Sequence, residues 1–410
     1  MSVAAPTIGL YIGFSRTANT GAWTLGTSDL GTGTILGEAF VDVYTDVGAD
    51  LRSWNLNRGK SRQLDQYQTG TIRGVLDNRA ADYSPLNLSG SYVTGGVTDV
   101  KPGRKCYLTA TDPTTGLTHT LFRGRIRDWD IDYTGVFDST ATVTAQDAMV
   151  ELANTRISLD AVGTDTGAQA DEVLTAAGIT QFVASAGQSL TQAMTYSGTA
   201  LDALRTLEKT EQGALYVEAN GDVYFSSRAD LIANIQSRVS QVTFGAGDLD
   251  YSDINIGYES DLIYNSVSVT RTGGTVQTYT NTDSVAAYGT RAMNLTNMAN
   301  VSDADALTLA TYLAGKFGEP YVRVKSITIK PMRSAALMTE ALTRQIRDRV
   351  TVNFSPVGGE SISQEVFITG IKHEFTPDRG MTTTYTFDPT DWAYGWLLGT
   401  DALGSITLGF

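Results

Sequence analysis

Chemistry in this chain would have to rest on very few of the usual groups. The 410 residues include two histidines and one cysteine. His119 and His373 both fall in runs with strand alternation, and no Gly-x-Ser-x-Gly elbow precedes a helix to supply a nucleophile for either. A strand histidine at a barrel surface is the expected role of each. Zinc chemistry needs several His or Cys ligands together, and His119, His373 and Cys106 are scattered along the chain. Cys106 sits in the strand-like run 105–110, where a small buried residue is expected rather than a nucleophile. A single cysteine also excludes any disulfide within the chain.

Carboxylates are the remaining catalytic resource, because a pair of them suffices for glycoside hydrolysis. The densest groups are Asp248, Asp250 and Asp253, and Asp128, Asp130 and Asp132. The second group alternates with Trp129 and Ile131, the pattern of a solvated strand face. The first lacks the glycine hinge and terminal glutamate of a calcium loop. Gly and Lys never stand in the spacing of a phosphate loop. Arg123, Arg125 and Arg127 come nearest to a basic stripe, and a strand edge or interface explains them better than phosphate binding. The expectation is no enzyme, no metal site and no cofactor.

The elements that position these groups are mostly strands. The chain carries 41 Gly against 9 Pro and is 41% hydrophobic, which favours many strands with tight turns and real cores. Its length exceeds one ordinary core, so two or more domains are expected. A net charge of −14 argues against binding to DNA or to an anionic membrane. No basic n-region opens the chain and no apolar run approaches a membrane span, so a protein made in a cytoplasm without membrane insertion is expected.

Residues 1–37 are rich in Gly and Thr and are expected to be an extension outside the cores. Trp23, Leu25 and Leu30 lie there in a WxLGTxxLG pattern, and the same pattern returns at the carboxyl end with Trp396, Leu398 and Leu403. Strands are expected at 39–44, 53–57, 69–76, 106–111, 117–122 and 123–133. Within the last run Ile126 and Trp129 lie on opposite parities, so a β-bulge is expected near Arg127–Asp128. A short helix follows at 147–153. Residues 157–240 read as an α/β insert, with helices at 170–177 and from Thr199, and a hairpin around Asn220-Gly221. After 241 come a hairpin at Gly273-Gly274, a helix capped by Ser302 that ends near Phe317, and further strands to about 390.

The stretch 64–87 gives this order a context. It reads as a strand ending in Leu-Asp-Asn, then Tyr83-Ser-Pro85-Leu-Asn. Together with LFRGRI at 121–126, YNSV at 264–267, YGTR at 288–291, DRVTV at 348–352 and ITGIKH at 368–373, it resembles siphophage minor tail proteins of the baseplate hub family. That family is similar to the amino-terminal part of tail-associated lysins and to central hub proteins of contractile tails. The resemblance covers roughly residues 38–390. It implies a mainly β fold with an α+β insert: a first tail-tube-like β-barrel over 38–156, the insert over 157–240, and a second barrel over 241–390 with a helix near 303–317. Residues 391–410 form a second extension. It further implies a trimeric hub at the virion tail tip, between a distal tail ring protein, the tape measure protein and downstream tail-tip or fibre proteins. DNA passes through such a hub without being bound. Trp23, Leu25, Leu30, Tyr83, Pro85, Trp396, Leu398 and Leu403 are the expected subunit-interface residues. The competing readings are a hexameric distal tail ring protein and a tail-associated cell-wall or glycan hydrolase.

Overall fold

A computed structural model describes residues 3–18, 40–62, 64–134, 138–245 and 247–390. Its frame is a large, mostly antiparallel sheet that takes strands from both halves of the described residues. From one edge the strands follow as Asp253–Gly257, Arg323–Ile329, Gly380–Pro389, Ile362–Thr376, Leu51–Gly59, Gln68–Asp77, Asp138–Gln146, Thr118–Thr134, Lys105–Thr111, Thr7–Ala18 and Phe40–Asp46. The bulge expected in the long strand is present: Ile126 pairs with Ala145 and Asp128 with Thr144, leaving Arg127 as the extra residue.

Part of the expected amino-terminal extension belongs to this sheet. Leu10, Ile12 and Phe14 alternate into the core from Thr7–Ala18, a strand that pairs with Lys105–Thr111 on one side and Phe40–Asp46 on the other. Their period of two is what a half-buried strand requires. Ala18 at the end of the first strand pairs with Phe40 at the start of the second. The two WxLGTxxLG copies, with Trp23, Leu25, Leu30, Trp396, Leu398 and Leu403, lie outside the described residues.

Two devices hold the halves of the sheet together. The strand Ile362–Thr376 changes partner along one edge: residues 362–367 pair with Arg349–Phe354, and residues 370–375 pair with Leu51–Gly59. A register shift at Thr369 marks the change. The helix Ala335–Thr343, capped by Ser334, then wedges between two cores. Met338 and Leu342 join the core of the first half, while Leu337 and Ala341 join that of the second. Each fully buried Leu or Met of this kind stabilises by about 1.5–3 kcal/mol.

Two smaller units stand beside this sheet among the described residues. Residues 149–226 form a core around helices Thr166–Ala176 and Ala200–Glu211 and two short sheets, and Thr199 caps the second helix as expected. The segment 264–317, expected within the second barrel, instead builds its own unit. Strands Ser266–Arg271, Gln277–Thr280 and Ala292–Met298 form a separate sheet covered by the helix Asp303–Lys316. A full capping box starts that helix, with Ser302 Oγ accepting from Asp305 N and the Asp305 carboxylate from Ser302 N.

Candidate functional site

The groups that could have done chemistry are dispersed or shut in. His119 faces Ala110 across two strands, far along the sheet path from His373, which pairs with Leu56. His373 is 1% exposed and holds Thr383 Oγ at 2.9 Å from Nδ1. That corrects the expected surface position: it faces inward where the halves of the sheet meet. Burial, and then the nearby Arg58 cation, push its pKa from 6.5 down to about 3. A neutral, enclosed ring cannot serve as a base for an external substrate.

This depressed value has a measurable consequence. Below about pH 6.5 the unfolded chain binds a proton at His373 that the folded chain refuses, so stability falls with pH until about pH 3. The slope reaches about 1.4 kcal/mol per pH unit for one such group. Asp147, pushed up to about 7 by burial, acts in the opposite direction up to neutral pH. The expected result is therefore read as a difference. Between pH 6.5 and 4, the His373→Gln protein should lose less melting temperature on acidification than the wild type. Parallel curves would show that His373 does not titrate this way.

The carboxylate groups give no better site. Asp248, Asp250 and Asp253 are exposed, and Asp128 pairs with Arg127 at 2.5 Å. Trp129 and Ile131 pack against the first core, leaving the alternating carboxylates on the outer face as expected. Among the described residues no group of three or more His, Cys, Asp or Glu side chains could hold a metal ion. Cys106 is 2% exposed and burial pushes its thiol up to about 12, which leaves almost no thiolate at neutral pH. The arginine stripe is also engaged. Arg123 lies over the Tyr107 ring at 5.5 Å, Arg125 pairs with Glu151, and Arg127 pairs with Asp128. A cavity of about 220 Å³ at the junction of the units contains Lys60 and Asp388, but these pair with each other at 2.7 Å.

The expected interface loop is ordered within the subunit. The loop after Gln68–Asp77 is fixed from inside by Asn78, whose side chain accepts from Tyr83 N at 2.9 Å and donates to Ser139 Oγ at 3.0 Å. Tyr83, one of the expected interface residues, is 1% exposed. Its ring packs with Phe14, Tyr92 and Trp129 at 5.5–6.5 Å, and its hydroxyl donates to Asp50. Its side chain therefore anchors the loop within the subunit, because the aromatic core beneath is where its apolar area is covered. Pro85, Leu86 and Leu88 are exposed on that loop. The sheet also ends in open edges: among the described residues Phe40–Asp46 pairs only with Thr7–Ala18, Asp253–Gly257 only with Arg323–Ile329, and the short strand Thr243–Phe244 only with Arg349–Phe354. Such edges carry rows of backbone donors and acceptors that invite another strand. Val41 and Val43 are exposed on the first of them. Sequence reasoning missed these edges, since an edge is defined by what does not pair.

The fold has known counterparts. A tail protein from Neisseria meningitidis MC58 superposes with a TM-score of 0.58 at 11% identity, over 94% of this chain and 96% of that one. The 43 kDa tail protein of prophage MuSo2 from Shewanella oneidensis gives a TM-score of 0.57 at 15% identity, over 94% and 98%. No protein-family model matches the sequence, and no curated protein matches it significantly.

Proposed function

We propose that this chain is a structural virion protein, the trimeric baseplate hub at the distal tip of a siphophage tail. The observation that carries the reading is the likeness to two tail proteins, one of them from a prophage, over nearly the whole chain, sheet and smaller units together. The two coupled halves of the sheet support it further. In a threefold ring they act as two tail-tube-like barrels per subunit, so three copies present sixfold surroundings to a hexameric distal tail ring and threefold ones to a fibre assembly. The hub closes the tube around the end of the tape measure protein and opens for DNA. The net charge of −14 suits a bore through which DNA slides without sticking. The separate unit under the helix Asp303–Lys316 favours a hub over a distal ring protein.

Native mass measurement of the purified full chain is the test, with three subunits expected. Six subunits would return the distal-ring reading, and a stable monomer with no ring in electron micrographs would remove both. A cleared band on a host cell-wall zymogram would overturn the non-enzymatic part.

A further inference from the structure

Between the 264–317 unit and the 149–226 unit the surface opens into a groove of about 1020 Å³, the size of a generous ligand site. Its position is fixed by bonds between the two units. Ala299 N donates to Thr210 Oγ1 at 3.1 Å, Gln192 N donates to Ala299 O at 3.0 Å, and Arg271 Nη1 donates to Gln192 Oε1 at 3.0 Å. A site held this way exists before any ligand arrives.

The helix Asp303–Lys316 forms one wall. Leu307, Thr308, Thr311, Tyr312 and Gly315 share the face toward the groove, at the spacing that stacks side chains along a helix. The hydroxyls of Thr308 and Thr311 donate back to Ala304 O at 3.0 Å and Leu307 O at 2.9 Å, which turns their lone pairs to accept from outside. At Gly315 an added Cβ would meet nothing within 4 Å among the described residues. Glycine weakens a helix interior, and packing inside this chain gives no reason for it here. It leaves the wall open at the end where two cations gather. Lys316 Nζ stands 5.7 Å from the centre of the Tyr312 ring. Burial raises the Tyr312 hydroxyl pKa and the nearby Arg228 cation opposes it. Arg228 is loosely held: its guanidinium reaches Ser189 Oγ only at 3.4 Å and Glu211 at 3.9 Å, and that carboxylate already accepts four closer donors. The one carboxylate on the wall, Asp305, is engaged by Ser302 N and Oγ and lies roughly 16 Å along the helix from Lys316.

An aromatic ring and leucines between hydroxyl acceptors suit a molecule with apolar faces and a hydroxyl rim, and the paired cations add a call for an anion. A peptide would use a free strand edge or a continuous apolar stripe, and this wall interrupts its leucine with Thr and Gly. We propose that the groove binds an acidic oligosaccharide, its rings against Tyr312 and Leu307, its hydroxyls donating to Thr308 and Thr311, and its carboxylate or phosphate at Arg228 and Lys316.

The test is titration of the full chain, followed by ligand-observed NMR and calorimetry, with trigalacturonate, maltotriose 6-phosphate, neutral maltotriose and triglutamate. At least one acidic sugar should saturate the protein with a Kd below about 1 mM. It should bind at least about tenfold more tightly than maltotriose and weaken with added salt; the tighter of the two names the acid group. Lys316→Gln and Arg228→Gln should each lower the affinity about fivefold. Gly315→Phe should abolish binding yet melt no lower than the wild type, because the position is helical and its side chain enters open space. Saturation by neither acidic sugar would overturn the proposal, as would equal binding of neutral and acidic sugars or binding that survives Gly315→Phe. Triglutamate bound as tightly as the sugars would overturn it in favour of an acidic peptide. The inference stands on the groove alone, and the subunit count of the same sample tests the tail reading separately.

Discussion

Replacing Gly59 by alanine should cost the fold on the order of 3 kcal/mol or more, a large loss for one methyl group. Gly59 has φ +101°, and a Cβ built on it would lie 2.2 Å from Thr369 O and 2.7 Å from Gly370 Cα. Both contacts are backbone, at the point where Ile362–Thr376 changes partner and Lys60 N donates to Thr369 O at 2.9 Å. No side-chain rotation relieves them, so the strands must part or the bulge must move. The left-handed conformation alone accounts for only about 1–2 kcal/mol. Gly103→Ala provides the control, because Gly103 has φ +81° and a Cβ there would meet nothing within 4 Å. The measurement is the denaturation midpoint of each variant. A Gly59→Ala loss no larger than that of Gly103→Ala would mean the seam between the halves is not the tight joint its geometry describes. If the hub reading is right, the same variant should also fail to form the ring, since the two halves could no longer hold a common orientation.

The seam illustrates what could and could not be read from the residues. Signals that act within a few residues were legible: the parity break at Arg127, the Ser302 cap and the Asn220-Gly221 turn, where Gly221 has φ +95°. Each is settled by backbone sterics or a single hydrogen bond, so no distant partner can change it. The strand Thr7–Ala18 was hidden by composition, although Leu10, Ile12 and Phe14 carried the alternation throughout. The helix Ala335–Thr343 was missed for a different reason. It buries two faces against two cores, so the clean one-sided periodicity of a surface helix is absent. The placement of 264–317 in a separate sheet depended on which strands find each other, and that is a property of the whole chain. Of the expected interface residues, Tyr83 was marked by its size and Pro85 by its stiffness. Only burial distinguishes them: the first is an internal anchor and the second lies at the surface.

The second large effect is expected at Glu211, a residue no motif singled out. It ends the helix Ala200–Glu211 with a carboxylate that is fully buried. Oε2 accepts from Thr166 Oγ1 at 2.7 Å, Gln188 N at 3.0 Å and Ser189 N at 2.8 Å, and Oε1 accepts from Arg228 N at 3.3 Å. One side chain thus ties the start of one helix, the 187–190 loop and the turn after Val223–Ser226 to the end of another helix. Removing it strands several buried donors and leaves the Arg228 guanidinium, 3.9 Å away, without its counter-charge. Glu211→Ala should cost about 3–5 kcal/mol, the range for breaking a buried charged network by deleting one partner. Glu211→Gln keeps the shape but turns an NH₂ toward backbone N–H groups, so it should not restore the wild type. The damage should also be local. Hydrogen exchange in Glu211→Ala should accelerate across 149–226 while Leu51–Gly59 and Ile362–Thr376 keep their protection, because those strands draw on other cores. Uniform loss of protection would show that the insert and the sheet unfold as one body. If the hub reading is right, retained ring formation alongside a loosened insert would place the subunit contacts in the sheet, where its open edges lie.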